Sequence, residues 1–385
     1  MGLLLDIIHL SEPQTERALS EIYKSIHDHD DGDTPHESPF VRRVIELFHS
    51  RGLAYLDAVQ AELNKWASGK YHTPGEVPPQ PPGAMHRWTP AEADLVRIYL
   101  RALPPAEWTL QDHMLMVDYV VQRYLPADAL VAESEWMATR SVLMGKVQAN
   151  LEKPPTFSQA DVILAALPNT IAAAADQFSL SRAERAVLEI AATKGAEYVT
   201  NFAEDARRRL REIIRRHAEA GMLRVKGTPG QALQTQLVDA FATLNRDWRR
   251  IAVTEAGNNA LVGYIASLPA GTKVRRVEQY TNVCPHCRRI DGRVMTVVPA
   301  NKPNKDPDTE VWVGKDNYGR SAAPRKRVGD QLVPRTKDEL WWVPAGLMHP
   351  NCRGRWVPVL EGQPGDDAEF GAWLRATLGK KPHSP

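Results

Sequence analysis

Cysteine is scarce here: the chain of 385 residues holds three. A disulfide framework is therefore excluded as the source of stability, and a reducing compartment fits. A surplus of charge is missing too. Lys+Arg number 48 and Asp+Glu 47, for a formal net charge of +1. The chain as a whole is no general polyanion binder, so any nucleic-acid face must be local. No apolar run approaches the ~18 residues of a membrane span, and no membrane partner is expected. The start, Met1-Gly-Leu-Leu-Leu-Asp-Ile-Ile, is apolar but short. It lacks a basic n-region and a small-residue cleavage site, so it reads as a helix docked on a core rather than a signal peptide. No internal repeat is present.

The first 270 residues carry helical grammar. Residues 13–30 and 39–68 place apolar side chains at helical spacing, the second through Val44, Ile45, Phe48, Leu53, Leu56, Val59 and Leu63. Thr73–Gly83 then packs five prolines into eleven residues, which stops a helix and favours extended backbone. Thr89, Pro90 and Glu92 form a capping-box start, and Ser181 with Glu184 repeats it. Between these starts lie periodic segments near 89–103, 109–124, 127–150 and 158–176. A long amphipathic stretch over 181–220 leaves a basic face of Arg207, Arg208, Arg209, Arg211, Arg215 and Arg216, with Gly221 as its C-cap. Residues 229–268 read as two further helices.

After Gly271 the pattern shortens. Asp291-Gly292 reads as a hairpin turn between Arg289-Ile290 and the strand 293–298. Residues 299–339 read as a long loop or ragged insertion, and Trp341–Pro344 and Trp356–Leu360 as short strands. The expected organisation is α+β: an N-terminal helical segment (1–72), a Pro-rich linker (73–87), a helical domain (88–270), a small α+β module (271–361) and a polar tail (362–385) with one short helix near Ala368–Leu378.

All three cysteines fall into one pattern, Cys284-Pro-His-Cys287 followed by His349-Pro-Asn-Cys352. Thiolate and imidazole are the ligands tetrahedral Zn(II) prefers, and a Cys3His shell leaves no open position. Cys284, Cys287, His349 and Cys352 are thus the candidate ligands of a structural Zn(2+), which would supply folding energy directly. The second pair must be delivered by folding, since 61 residues separate Cys287 from His349. Two alternatives stand beside this: thiols with no metal, and a redox C-x-x-C, for which no βαβ pattern is present. His286, inside the knuckle, is expected to point away. His349 and Asn351 also raise a metal-dependent nuclease of His-Asn-His type, but an imidazole bound to structural zinc is not free as a general base.

The module is locally basic, with 17 Lys+Arg against 10 Asp+Glu over residues 271–361. Arg325, Lys326 and Arg327 are its best candidates for phosphate contact, which makes a DNA-binding adaptor a further reading. Trp341, Trp342 and Trp356 read as core for a small domain.

Three elements in order resemble the phage Mu F-like (SPP-type head morphogenesis) minor capsid proteins. They are Arg250-Ile-Ala-Val-Thr-Glu255, similar to the family's RIA-x-TE helix; Cys284-Pro-His-Cys-Arg-Arg-Ile-Asp-Gly292, similar to its C-P-x-C-x-x-x-D-G element; and His349-Pro-Asn-Cys-Arg353, similar to its H-P-N-C-R-C element. The family often has a second cysteine after the arginine, where this chain has Gly354. The resemblance spans roughly residues 190–360 and implies a non-enzymatic, low-copy head component. Such a protein acts in head morphogenesis, associates with the portal protein or the major capsid protein, and can contact packaged phage DNA. It would reside in the virion, and in host cytoplasm during assembly. Thr254, Glu255, Asp291 and Gly292 take structural roles, with Glu255 expected to pair with Arg249 or Arg250 or to order the neighbouring module.

Overall fold

A computed structural model of the chain describes residues 38–67, 70–81, 83, 87–151, 155–222, 229–280, 283–350, 352–359 and 368–379. The apolar start and the helix read over 13–30 lie outside the described residues. The architecture is α+β, a large helical part followed by a small mixed sheet. The helices are α1 (Pro39–Ala67), α2 (Pro90–Ala102), α3 (Leu110–Tyr124), α4 (Ala127–Ala149), α5 (Phe157–Ala166), α6 (Ile171–Gln177), α7 (Arg182–Met222) and α8 (Pro229–Ala266). Two of them begin at the caps read from the sequence. Thr89 with Glu92 and Ser181 with Glu184 make reciprocal caps, and Thr109 with Asp112 makes another. Each such cap satisfies orphan amides of the first turn and stabilises it by about 1 kcal/mol.

Two expectations change. Residues 229–266 form one helix, not two, and α7 runs one residue beyond Gly221 to Met222. The segment read as 158–176 is split into α5 and α6, because Pro168 follows the C-cap Leu167.

Two compact units are assembled from interleaved segments, whereas the sequence reading laid its domains end to end. Among the described residues, one unit takes 49–133 and 196–249, and the other takes 38–48, 134–195 and those from 250 onward. In the first unit Trp248 is fully buried, with Phe202 tilted against it at 5.2 Å and Gly52 leaving the space its indole fills.

The second unit carries the sheet, in order β3 (Glu310–Val311), β2 (Val294–Val297), β1 (Lys273–Val277), β6 (Arg355–Pro358). β1 pairs antiparallel with β2 and β6, and β2 pairs parallel with β3. Alternation along β1 turns Val274 and Arg276 inward and Lys273 and Arg275 outward. The inward face joins a core that includes Ala149 of α4 and Leu261, Tyr264 and Ile265 of α8, so the module shares its apolar interior with helix ends. A separate ribbon, β4 (Arg325–Val328) with β5 (Gln331–Pro334), turns at Gly329-Asp330. The tail helix, α10 (Ala368–Leu378), sits where the sequence placed it and packs Phe370 edge-on to Phe178 at 5.1 Å.

Residues 299–339 are more ordered than expected. Lys315, 1% exposed, anchors the insertion: its ammonium donates to the carbonyls of Pro307 and Glu310 at 2.7 and 2.8 Å and faces the rings of Trp312 and Trp342. Trp341–Pro344 is not a strand. The Asn317 side chain accepts from the Trp342 amide and donates to its carbonyl, which occupies the groups a strand neighbour would use.

Candidate metal centre

The first ligand pair is built by a knuckle that continues into helix. Cys284 is the N-cap of a short helix, α9 (Pro285–Ile290), its sulfur accepting from the Cys287 amide at 3.4 Å. The hairpin expected at Asp291-Gly292 is therefore a helix exit. Gly292, at φ +76°, takes the left-handed position after the C-cap Asp291, and β2 then pairs with β1 rather than with residues 289–290. Asp291 accepts from the Glu278 amide at 2.8 Å, which ties this exit to the end of β1.

The second pair arrives from the loop before β6. His349 Nε2 lies 3.2 Å from Cys284 Sγ and 3.3 Å from Cys287 Sγ, and Cys287 Sγ lies 3.6 Å from Cys352 Sγ. All four residues singled out by spacing are brought together. The donors fall into two trios that share Cys287: Cys284, Cys287 and His349, and Glu278, Cys287 and Cys352, each within 4.8 Å. Sequence reading missed Glu278, because a glutamate just past a strand gives no signal that it turns inward.

His349 Nδ1 is 2.8 Å from the Pro350 carbonyl. A proton on that nitrogen leaves the Nε2 lone pair facing the sulfurs, the second-shell arrangement of a metal-binding imidazole. Trp341 stacks on the ring at 5.8 Å, and His286 meets Trp341 edge-on at 5.4 Å. The Cys287–Cys352 contact separates the two thiols. Hydrogen bonding to Cys287 pulls Cys352 well below the usual thiol range, with burial opposing and the Arg276 charge assisting, while the same bond and burial push Cys287 up. A thiolate is the form of cysteine that binds a soft cation. Three sulfurs and an imidazole converging at these distances form a cluster able to hold a metal ion.

The other candidates scatter. Arg325 and Arg327 are exposed on β4, but Lys326 is ion-paired with Glu339, so one of the three proposed phosphate contacts is already engaged. The arginine face of α7 borders a groove of about 1200 Å³, yet its charges are answered internally. Arg207 and Arg211 both reach the buried Asp118, Arg208 pairs with Asp205, Arg209 with Asp247, Arg215 with Glu212 and Glu219, and Arg216 with Glu212. Trp356 is core, while Trp341 and Trp342 are half-buried.

Glu255 differs from expectation. It is 6% exposed, burial pushes its carboxyl up to about 7, and the cation acting on it is Lys194 rather than Arg249 or Arg250. Thr254, beside it on α8, is half-buried. Asn351 lies outside the described residues.

No family model, curated protein or solved structure matches this chain. Among the described residues no helix is long and apolar enough to cross a membrane.

Proposed function

We propose that the chain is a structural component of a phage head, a minor capsid protein of the Mu F-like type, whose C-terminal module is fixed by one zinc ion. The observation that carries this reading is the convergence of Cys284, Cys287, His349 and Cys352, the residues of two of the three resembling elements, across a gap of 61 residues. Zinc bonds of about 2.3 Å to sulfur and 2.0 Å to nitrogen set tetrahedral edges of about 3.5–3.8 Å. The separations of 3.2 to 3.6 Å approach those edges. Bound there, zinc would staple α9 to the loop before β6 and do no chemistry.

A nuclease of His-Asn-His type would need His349 as a free base, and its Nε2 faces two sulfurs. A plasmid incubated with the protein and Mg(II) or Mn(II) tests that reading: cleavage abolished by His349→Ala alone would favour the enzyme. The structural reading expects near one zinc per chain by elemental analysis and co-purification with a co-expressed portal ring. Zinc near zero in protein prepared without chelator sinks the metal; no association with portal or capsid protein sinks the head role.

DNA contact is a second reading, favoured by the exposure of Arg325 and Arg327 on a free-standing ribbon. A two-stranded ribbon fits a major groove. If both arginines touch phosphate, Arg325→Gln with Arg327→Gln reduces the salt slope of DNA affinity by about 1.8. An unchanged slope removes the ribbon from consideration.

A further inference from the structure

The second donor trio, Glu278, Cys287 and Cys352, is buried throughout and already has a cation beside it. That cation is Arg276, whose side chain, like that of Glu278, is fully buried. Its Nε donates to Glu278 Oε1 at 2.6 Å, its Nη1 donates to the Gly346 carbonyl at 3.0 Å, and its Nη2 lies 3.9 Å from Cys352 Sγ. One guanidinium therefore joins β1, the loop that leads into His349 and the last cysteine of the ligand set. The Trp356 ring lies 5.3 Å from it. The Glu278 carboxylate occupies the space over Gly354, where a Cβ would come 2.0 Å from Oε1. The glycine that departs from the resembling pattern is what makes room for this carboxylate.

Burial of a charged arginine costs several kcal/mol unless its partners are fixed and its donors used. Here the partners include a thiol of the proposed metal set. Three thiolates around a divalent ion leave one negative charge, and an arginine remains positive at every relevant pH. A lysine could supply the charge but not three donors in one plane.

We propose that Arg276, held by Glu278, is a positioning residue of the metal centre: it seats Cys352 beside Cys287 and offsets the Glu278 carboxylate, whose Oε2 lies 3.7 Å from the same sulfur. The inference rests on the metal reading. The test uses the full chain, stripped of metal and titrated with Zn(II) against a chromogenic chelator, with Co(II) absorption reporting how many thiolates bind. Arg276→Lys and Glu278→Gln are compared with wild type, and Gly354→Ala displaces the carboxylate without altering any charge. Loss of such outer partners typically weakens a metal site by about 10- to 100-fold. The expected result is a weakening of that order in Arg276→Lys, a smaller one in Glu278→Gln and Gly354→Ala, and reduced thiolate-to-cobalt intensity in all three. Wild-type affinity and cobalt spectra in all three overturn the inference and leave the metal reading standing. Lowered melting temperature with unchanged affinity and spectrum also overturns it, since that marks a purely structural pair. A wild-type chain that takes neither ion overturns both.

Discussion

The largest fully buried side chain in the first unit is Trp248, while the sheet end of the second unit buries Arg276 to the same degree. One interior is closed by an indole packed on Phe202 over Gly52. The other is closed by a charge that needs a carboxylate, a carbonyl and a sulfur in place. The first kind of core is complete in the polypeptide alone. The second is conditional on the chemical state of its sulfurs, so the two units should fail under different insults.

If the cluster holds zinc as proposed, metal removal should separate them most widely. Structural zinc in small knuckle peptides contributes on the order of 10–16 kcal/mol. Chelation, or Cys284→Ser, is expected to deprotect the amides of β1, β2 and β6 in hydrogen exchange. Because the shared core includes Leu261, Tyr264 and Ile265, the C-terminal turns of α8 should lose protection with them, while α2 and α3 keep theirs. Uniform loss across both units would end the comparison.

Trp248→Ala is the converse insult. It should cost about 3–5 kcal/mol by denaturant titration and leave zinc content unchanged. Loss of metal in this variant would mean that the indole core also supports the sheet end.

Glu255→Gln comes next. The folded carboxyl, raised by burial to about 7 from 4.5, keeps its proton to higher pH than the unfolded one. Stability should therefore fall as pH rises from 4.5 through 7 and level off above. Glutamine imitates the neutral form, so the variant should be more stable at pH 8 by about 3 kcal/mol, with a flatter pH profile. A variant less stable at pH 8 would show that the carboxylate makes a favourable contact. The smallest effect belongs to the first unit: Thr89→Ala removes a capping box and should cost about 1 kcal/mol without touching the metal.

Sequence was most legible where the signal is local. Helix starts at Thr89 and Ser181 are written within four residues, and the tail helix over Ala368–Leu378 follows from one short apolar period. The candidate ligand pairs were legible because few residue types can hold a soft metal ion and this chain spends all its thiols on one set. Long-range partners were not. Nothing local says that Arg276 and Glu278 turn inward, since charged residues on and beside a strand usually face water. Nothing local reserves Lys326 for Glu339 or sets Asn317 against the Trp342 backbone. The knuckle's continuation into α9 depended on a cysteine sulfur acting as a helix cap, a role normally given to oxygen.

The two ligand pairs bracket everything between residues 288 and 348, including the ribbon tip at Gly329-Asp330. Both ends of that excursion are moored at one cluster, and closure entropy grows only slowly with length. The tip is thus a natural splice point: an epitope or fluorophore grafted there would extend a loop already tied off at its base, giving assembly studies a visible tag on the module.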